Sequence, residues 1–160
     1  MYRFGHGFDA HRLIPERKFV LAGITIPAAR GPLGHSDGDV LSHAISDAIL
    51  GACALGDLGE YFPSSDRRWA GADSLALLAE IATLARGAGF EPVNVDATVV
   101  VEAPRLAAHV GAMRARIAEA VGLDISAVSV KAKSSDGLGY TGDGTGIAAY
   151  AVASVRGAAG

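Results

Sequence analysis

Asp9 and His11 are the first residues of this chain whose types and spacing suit chemistry. Two apart on an extended segment, they project from the same face, so a carboxylate and an imidazole can reach one point. Alone, an Asp-x-His pair reads equally well as a surface pair. His43 would complete a set of two histidines and one carboxylate, which is a ligand set for catalytic zinc with the fourth tetrahedral position left for water or substrate. His43 stands between Asp39 and Asp47 at intervals of four, so the three share one helix face. That stripe is equally explained as the solvated face of a surface helix. If the ring is a ligand, Asp47, one turn on, is the candidate carboxylate for its other nitrogen.

Just before this helix, Gly34-His35-Ser36-Asp37-Gly38-Asp39 forms a tight polar turn. Free amides there would lie where a helix N-terminus favours an anion such as phosphate. An Asp-Gly turn with an N-cap, from Asp37 or Asp39, accounts for the same hexapeptide without a ligand. It leaves unexplained why His35 and Ser36 set two donors at one mouth.

The elements that must hold these groups follow from periodicity. Residues 2–11 read as a strand entering a turn, and 19–26 as a second apolar β run closed by Pro27, Gly31 and Pro32. Leu41, Ile45, Ala48, Ile49 and Ala52 give a helix over about 39–55. Residues 56–71, with Gly, Pro, Ser and Asp, read as a long loop of the kind that serves as a lid. A helix over 73–86, a strand over 94–101, a helix over 106–121 and strands over 128–133 and 147–155 complete the chain. The alternation argues for an α/β (α+β) sandwich: one domain over 1–160, a mixed sheet of four to five strands with helices on one face, in ferredoxin-like βαβ units.

Composition narrows the function. A net charge of −3 with no Lys or Arg block excludes the footprint of a nucleic-acid binder, so anions must be held by metals or backbone amides. No apolar run reaches membrane-spanning length. The N-terminal residues 1–7 lack the basic and apolar pattern of a signal peptide, and the single Cys53 fits a reducing compartment, so a cytoplasmic protein is expected.

Several stretches resemble one family: Gly7-Phe8-Asp9-Ala10-His11, His35-Ser36-Asp37-Gly38-Asp39-Val40, His43-Ala44-Ile45-Ser46-Asp47-Ala48 and Leu55-Gly56-Asp57-Leu58-Gly59-Glu60-Tyr61-Phe62-Pro63. Gly71-Ala72-Asp73-Ser74, Ala103-Pro104-Arg105 and Gly137-Leu138-Gly139-Tyr140-Thr141-Gly142 continue the likeness in order. The family is 2-C-methyl-D-erythritol 2,4-cyclodiphosphate synthase. The resemblance implies a homotrimer with active sites between subunits and a place in non-mevalonate isoprenoid synthesis. It implies a small-molecule substrate, 4-diphosphocytidyl-2-C-methyl-D-erythritol 2-phosphate, whose 2-phosphate attacks the β-phosphorus and releases CMP. It thus implies a cyclising phosphorus–oxygen lyase.

Residue by residue, the resemblance gives Asp9, His11 and His43 as zinc ligands and Asp136 as the ligand of a second ion, Mg2+ or Mn2+, on the substrate diphosphate. His35 and Ser134 become the hydrogen-bond donors to charge developing at phosphorus. His35 and Ser36 contact the methylerythritol phosphate, Ala10 lies with the zinc ligands, and Asp57, Leu58 and Gly59 wall the hydroxyls. Residues 60–71 form a flap, with Phe62, Pro63, Ser64, Ser65 and Asp66 over the substrate. Val101, Glu102, Ala103, Pro104, Arg105, Leu106 and Ala107 form the cytidine pocket of the neighbouring subunit, adjoined by Lys133, Ser134, Ser135 and Asp136. Tyr140 and Asp143 close the set. Asp136 stands where many members have Glu, Arg105 where Lys is usual, and Asp143 and Thr145 where many have Arg and Glu. The last two discount any binding of isoprenoid diphosphates at the trimer axis. Read from the ligand set alone, a zinc-dependent phosphate-ester hydrolase is the rival enzyme, and a rival of a different class is a non-catalytic trimeric metal- or isoprenoid-binding scaffold.

Overall fold

Gly5 and Gly7 determine how closely the first strand and the first helix approach. In the computed structural model, which describes residues 1–157, β1 spans Tyr2–Pro15 and α1 spans Val40–Cys53. A Cβ on Gly5 would stand 2.0 Å from the Ala48 carbonyl oxygen, and one on Gly7 1.9 Å from that of Ala44. From the other side Ala44, Ala48 and Ala52, four apart and buried, present the smallest side chains a helix has. Backbone therefore packs on backbone, and no side chain sits between.

The remaining elements build outward from that contact. They are β2 (Phe19–Leu21), β3 (Ile24–Ile26), β4 (Arg30–Leu33), α2 (Leu58–Tyr61), α3 (Ser74–Gly87), β5 (Phe90–Val100), α4 (Val110–Val121), β6 (Val128–Lys133), α5 (Gly139–Gly142) and β7 (Gly146–Gly157). The main sheet has the order β4-β1-β7-β5-β6, with β5 and β6 parallel and the other neighbours antiparallel. Antiparallel β7 lies between β1 and β5, so the crossover through α1 and α3 is a split βαβ unit, while β5-α4-β6 is a contiguous one. The helices α1, α3 and α4 line up over one face, α1 on β1 and β7, α3 on β5, α4 on β6. The five strands and the single helical layer agree with the expected architecture.

One hydrophobic core lies between these layers, and it is rich in Ala, Val, Leu and Ile. On its sheet side β7 contributes Ile147, Ala149, Ala151, Ala153 and Val155, all buried. Among the described residues no layer covers the opposite face. Tyr2, Phe4, Phe8, Tyr150 and Val152 lie there between 43% and 73% exposed. Among the described residues no helix is long and apolar enough to cross a membrane.

Three local expectations are corrected. Residues 19–26 form a hairpin, because Ala22 and Gly23 both take positive φ (49° and 68°), the two-residue turn that matches strand twist. Pro32 does not close that hairpin but lies in β4, an edge strand, where a missing N–H is tolerated. Residues 56–71 are not all loop. Asp57 accepts from the Glu60 amide to cap α2, and Asp66 accepts from the Arg68 amide to cap a short 3-10 turn over Arg67–Trp69. An Asp-x-x-Glu cap signal was present in the sequence.

Replacing Gly7 by alanine forces the α1 backbone away and is expected to destabilise the protein by about 3 kcal/mol or more. Gly111, in α4 with nothing within 4 Å of an added Cβ, provides the contrast. Gly111→Ala is expected to stabilise by about 0.5–1 kcal/mol. Urea unfolding midpoints of the two variants check both signs.

Candidate metal centre

The docking of α1 on β1 sets Asp9 and His11, just past Gly7 on the strand, opposite His43, which directly precedes Ala44 on the helix. One donor atom from each of the three lies within 4.8 Å of the other two. His43 Nδ1 is 2.8 Å from Asp9 Oδ2, and His11 Nδ1 is 3.3 Å from the same oxygen. His11 Nδ1 is buried and makes no hydrogen bond of acceptable geometry. An orphaned imidazole nitrogen aimed at a carboxylate that another imidazole shares is the donor set a divalent cation needs, so these residues fit a metal.

The electrostatics agree. Burial works to raise the Asp9 carboxyl, but the hydrogen bond with His43 and the closeness of the His11 and His43 rings outweigh it and hold it below the usual range. Burial likewise disfavours the charged His43 ring, yet the bond to Asp9 and the charges of Asp9, Asp39 and Asp37 leave it above the usual value. At 2.8 Å the His43–Asp9 contact is of hydrogen-bond length, and a cation bound there would take the place of the hydrogen it holds.

The surroundings of His43 differ from the sequence reading in two ways. Asp47 does not hold its other nitrogen: Asp47 Oδ1 accepts from the Leu58 amide at 2.8 Å and fixes the start of α2. His43 Nε2 instead faces Ser74 Oγ at 2.8 Å and Ser36 Oγ at 3.1 Å. Ser74, fully buried at the start of α3, is the residue that sequence reasoning missed. Its only signal was membership of the Gly71-Ala72-Asp73-Ser74 stretch. Nor is the stripe of Asp39, His43 and Asp47 a solvated face: Asp39 is fully buried, His43 and Asp47 are half-buried and line a hollow, and Gly51 is the one exposed residue of α1.

The turn into α1 proves structural. Asp39 accepts from the Ser42 amide at 3.0 Å and the Gly23 amide at 3.0 Å, while Asp37 accepts from the Asp39 amide at 3.1 Å. These bonds, with two carboxylates beside the helix N-terminus, are the ones the turn-and-cap reading expects.

The predicted site residues fall into two hollows. The first, about 330 Å3, collects Asp9, His11, His35, Ser36, His43, Asp47, Leu58, Gly59, Phe62 and Ser64, and adds Trp69 and Leu77. His35 Nε2 lies 3.2 Å from the Asp66 carbonyl oxygen, which ties the 60–71 segment to the mouth. The second, about 270 Å3, collects Val101, Glu102, Pro104, Arg105, Leu106, Ala107, Lys133 and Ser134. Strand register gives the distance between them: Asp9 pairs with Ala149, Ala149 with Val99, and Val99 with Ala132. Three strand spacings of about 4.8 Å put the hollows roughly 14 Å apart at the same end of the sheet. His35 and Ser134 are therefore not brought together within one chain.

Other expected positions lie elsewhere. Ala10 and Tyr140 line a separate depression with Arg12 and Arg30. Asp57 caps α2, Ser135 Oγ bonds Thr141 Oγ1, and Asp143 accepts from Thr145, which holds its carboxyl below the usual range. Asp136 is exposed at positive φ (51°) with Ser134 Oγ at 3.3 Å. Among the described residues no second cluster of three ligand donors surrounds it.

Comparison with known proteins gives this geometry a context. Residues 2–156 match the model of the YgbB family. The 2-C-methyl-D-erythritol 2,4-cyclodiphosphate synthase of Alkaliphilus oremlandii is 50% identical over 153 residues, covering 96% of this chain and 98% of that protein. Among solved structures, the bifunctional IspDF from Campylobacter jejuni superposes with a TM-score of 0.94 at 38% identity over 98% of this chain, which spans 42% of that longer one. A CDP-bound 2C-methyl-D-erythritol-2,4-cyclodiphosphate synthase superposes with a TM-score of 0.88 at 34% identity, covering 96% of this chain and all of that one. A family match over nearly the whole length, half-identity to a named synthase and a shared fold establish that the chain belongs to the YgbB family of 2-C-methyl-D-erythritol 2,4-cyclodiphosphate synthases.

Proposed function

We propose that the protein converts 4-diphosphocytidyl-2-C-methyl-D-erythritol 2-phosphate into the 2,4-cyclodiphosphate and CMP, as a metal-dependent cytoplasmic phosphorus–oxygen lyase of isoprenoid-precursor synthesis. The observation that carries this reading is the Asp9, His11 and His43 donor cluster in the first hollow of a chain half-identical to a named synthase. An oxygen of the 2-phosphate forms the new bond to the β-phosphorus. The bond from that phosphorus to the bridging oxygen breaks, and CMP leaves with the electron pair. In-line transfer of this kind depends on positioning and on neutralising charge more than on a strong base.

The residues divide that work. Zinc held by Asp9, His11 and His43 supplies Lewis acidity toward a phosphoryl oxygen when bound. His35 and Ser36 orient the methylerythritol phosphate, and Leu58 and Gly59, fixed by Asp47, wall its hydroxyls. The 60–71 segment serves as a flap, with Phe62 edge-on to Trp69 at 4.8 Å excluding water. The hollow of Val101–Ala107 receives the cytidine, and Lys133 and Ser134 meet the phosphates. Asp136 offers one carboxylate to Mg2+ or Mn2+, whose remaining ligands would come from substrate oxygens and water.

We further propose a homotrimer in which the first hollow of one subunit faces the second hollow of the next. Two observations support it: the hollows lie too far apart to share one substrate's reacting phosphates within a chain, and the outer sheet face of Tyr2, Phe4, Phe8, Tyr150 and Val152 is apolar and uncovered.

Incubation with the CDP-linked substrate and zinc is expected to yield CMP and a cyclic diphosphate, resolved by phosphorus NMR. Inorganic phosphate as product would indicate a hydrolase instead, and no turnover would leave a scaffold. His43→Ala and Asp136→Ala are each expected to lose at least about 100-fold in rate. Co-expressed, they are expected to recover about a quarter of wild-type activity, the statistical share of sites with both halves intact. Failure to recover any activity would contradict the shared site.

A further inference from the structure

We propose that Asp37 and Ser74 form a relay that fixes the tautomer and orientation of His43, acting as positioning residues for the metal centre. The inference rests on the metal-dependent reading of that site and deepens it. Asp37 receives both hydrogens that Ser74 has to give: Oδ2 accepts from the Ser74 amide at 3.1 Å and Oδ1 accepts from the Ser74 hydroxyl. A carboxylate offers acceptors only, so the single hydroxyl hydrogen of Ser74 is committed to it. The Ser74 oxygen then presents a lone pair to His43 Nε2 at 2.8 Å, and that nitrogen must carry the hydrogen.

With Nε2–H fixed, the lone pair available to a cation is on Nδ1, the nitrogen that lies 2.8 Å from Asp9 Oδ2, the same oxygen that His11 Nδ1 approaches to 3.3 Å. Ser36 Oγ lies 3.1 Å from both Nε2 and Ser74 Oγ and packs the relay from the side. The arrangement is rigid because Ser74 is fully buried and Ser36 nearly so, and because Asp37 is held by the Asp39 amide at 3.1 Å. A carboxylate that acts through a serine thus takes the part that a carboxylate bound directly to a ligand histidine takes elsewhere, raising the basicity of the ligand nitrogen and holding its ring. It also joins the ligand ring to the first residue of α3, where the segment that includes the flap ends.

The test is the zinc affinity of the full chain, measured by competition with a chromophoric chelator. Ser74→Ala is expected to weaken zinc binding about 10- to 100-fold with its circular dichroism unchanged. A folded Ser74→Ala protein with wild-type affinity would overturn the relay. His43→Ala separates the two readings, since its loss of zinc beside an unaffected Ser74→Ala would sustain the metal centre and sink only the relay. Wild-type protein that binds no zinc would remove both. A second measurement needs no variant: in the zinc-loaded wild-type protein, two-bond nitrogen–proton NMR correlations are expected to show the hydrogen of His43 on Nε2 and the metal on Nδ1. The reverse assignment would overturn the proposal even if Ser74→Ala fails to fold.

Discussion

The contact of α1 with β1 is the constraint on which the site depends. Gly5 and Gly7 on the strand and Ala44, Ala48 and Ala52 on the helix allow the two backbones to meet without side chains between them. The ligands lie beside that contact: His43 directly precedes Ala44, and Asp9 follows Gly7 by two residues on the same strand face. Their separation is thus set by main-chain packing, which has almost no freedom to relax. A donor set placed by such a contact is organised before any cation arrives.

Negative charge is concentrated around this contact, and each carboxylate has a separate task. Asp9 lies among the donors, Asp37 holds Ser74, Asp39 caps α1 and ties down the β2–β3 turn at Gly23, and Asp47 anchors α2 at Leu58. Burial pushes the Asp39 and Asp47 carboxyls up, while bonds from Ser42 and Gly23, and from Leu58, oppose it. Their summed field favours a positive charge at His43, whether a proton or a metal. The same hydrogen bonds brace both sides of the first hollow, so the metal centre and the substrate wall are one network.

The layered fold was legible because its signals are local and periodic, and the ligand triad was legible as a candidate to which the resemblance gave its weight. Asp9 and His11 share a face by the period of a strand, and the apolar positions of α1 follow the period of a helix. What escaped depended on contacts across the chain. Nothing near Ser74 in sequence announces that it meets His43, thirty-one residues away. The turn at Ala22-Gly23 was hidden because alanine rarely takes positive φ, so an apolar hairpin read as one strand. Asp47 was read as the candidate partner of the other His43 nitrogen, but its partner is an amide that only the fold brings near. The division of the site into two hollows was carried by the resemblance, because strand order is invisible to periodicity.

The central claim is that Asp9, His11 and His43 form one metal centre. Anomalous scattering from crystals of the zinc-loaded protein, recorded on both sides of the zinc edge, tests it most directly. The account predicts one strong peak per chain, bounded by Asp9 and by the Nδ1 atoms of His11 and His43. A peak bound elsewhere, or none at full occupancy of added zinc, would contradict it.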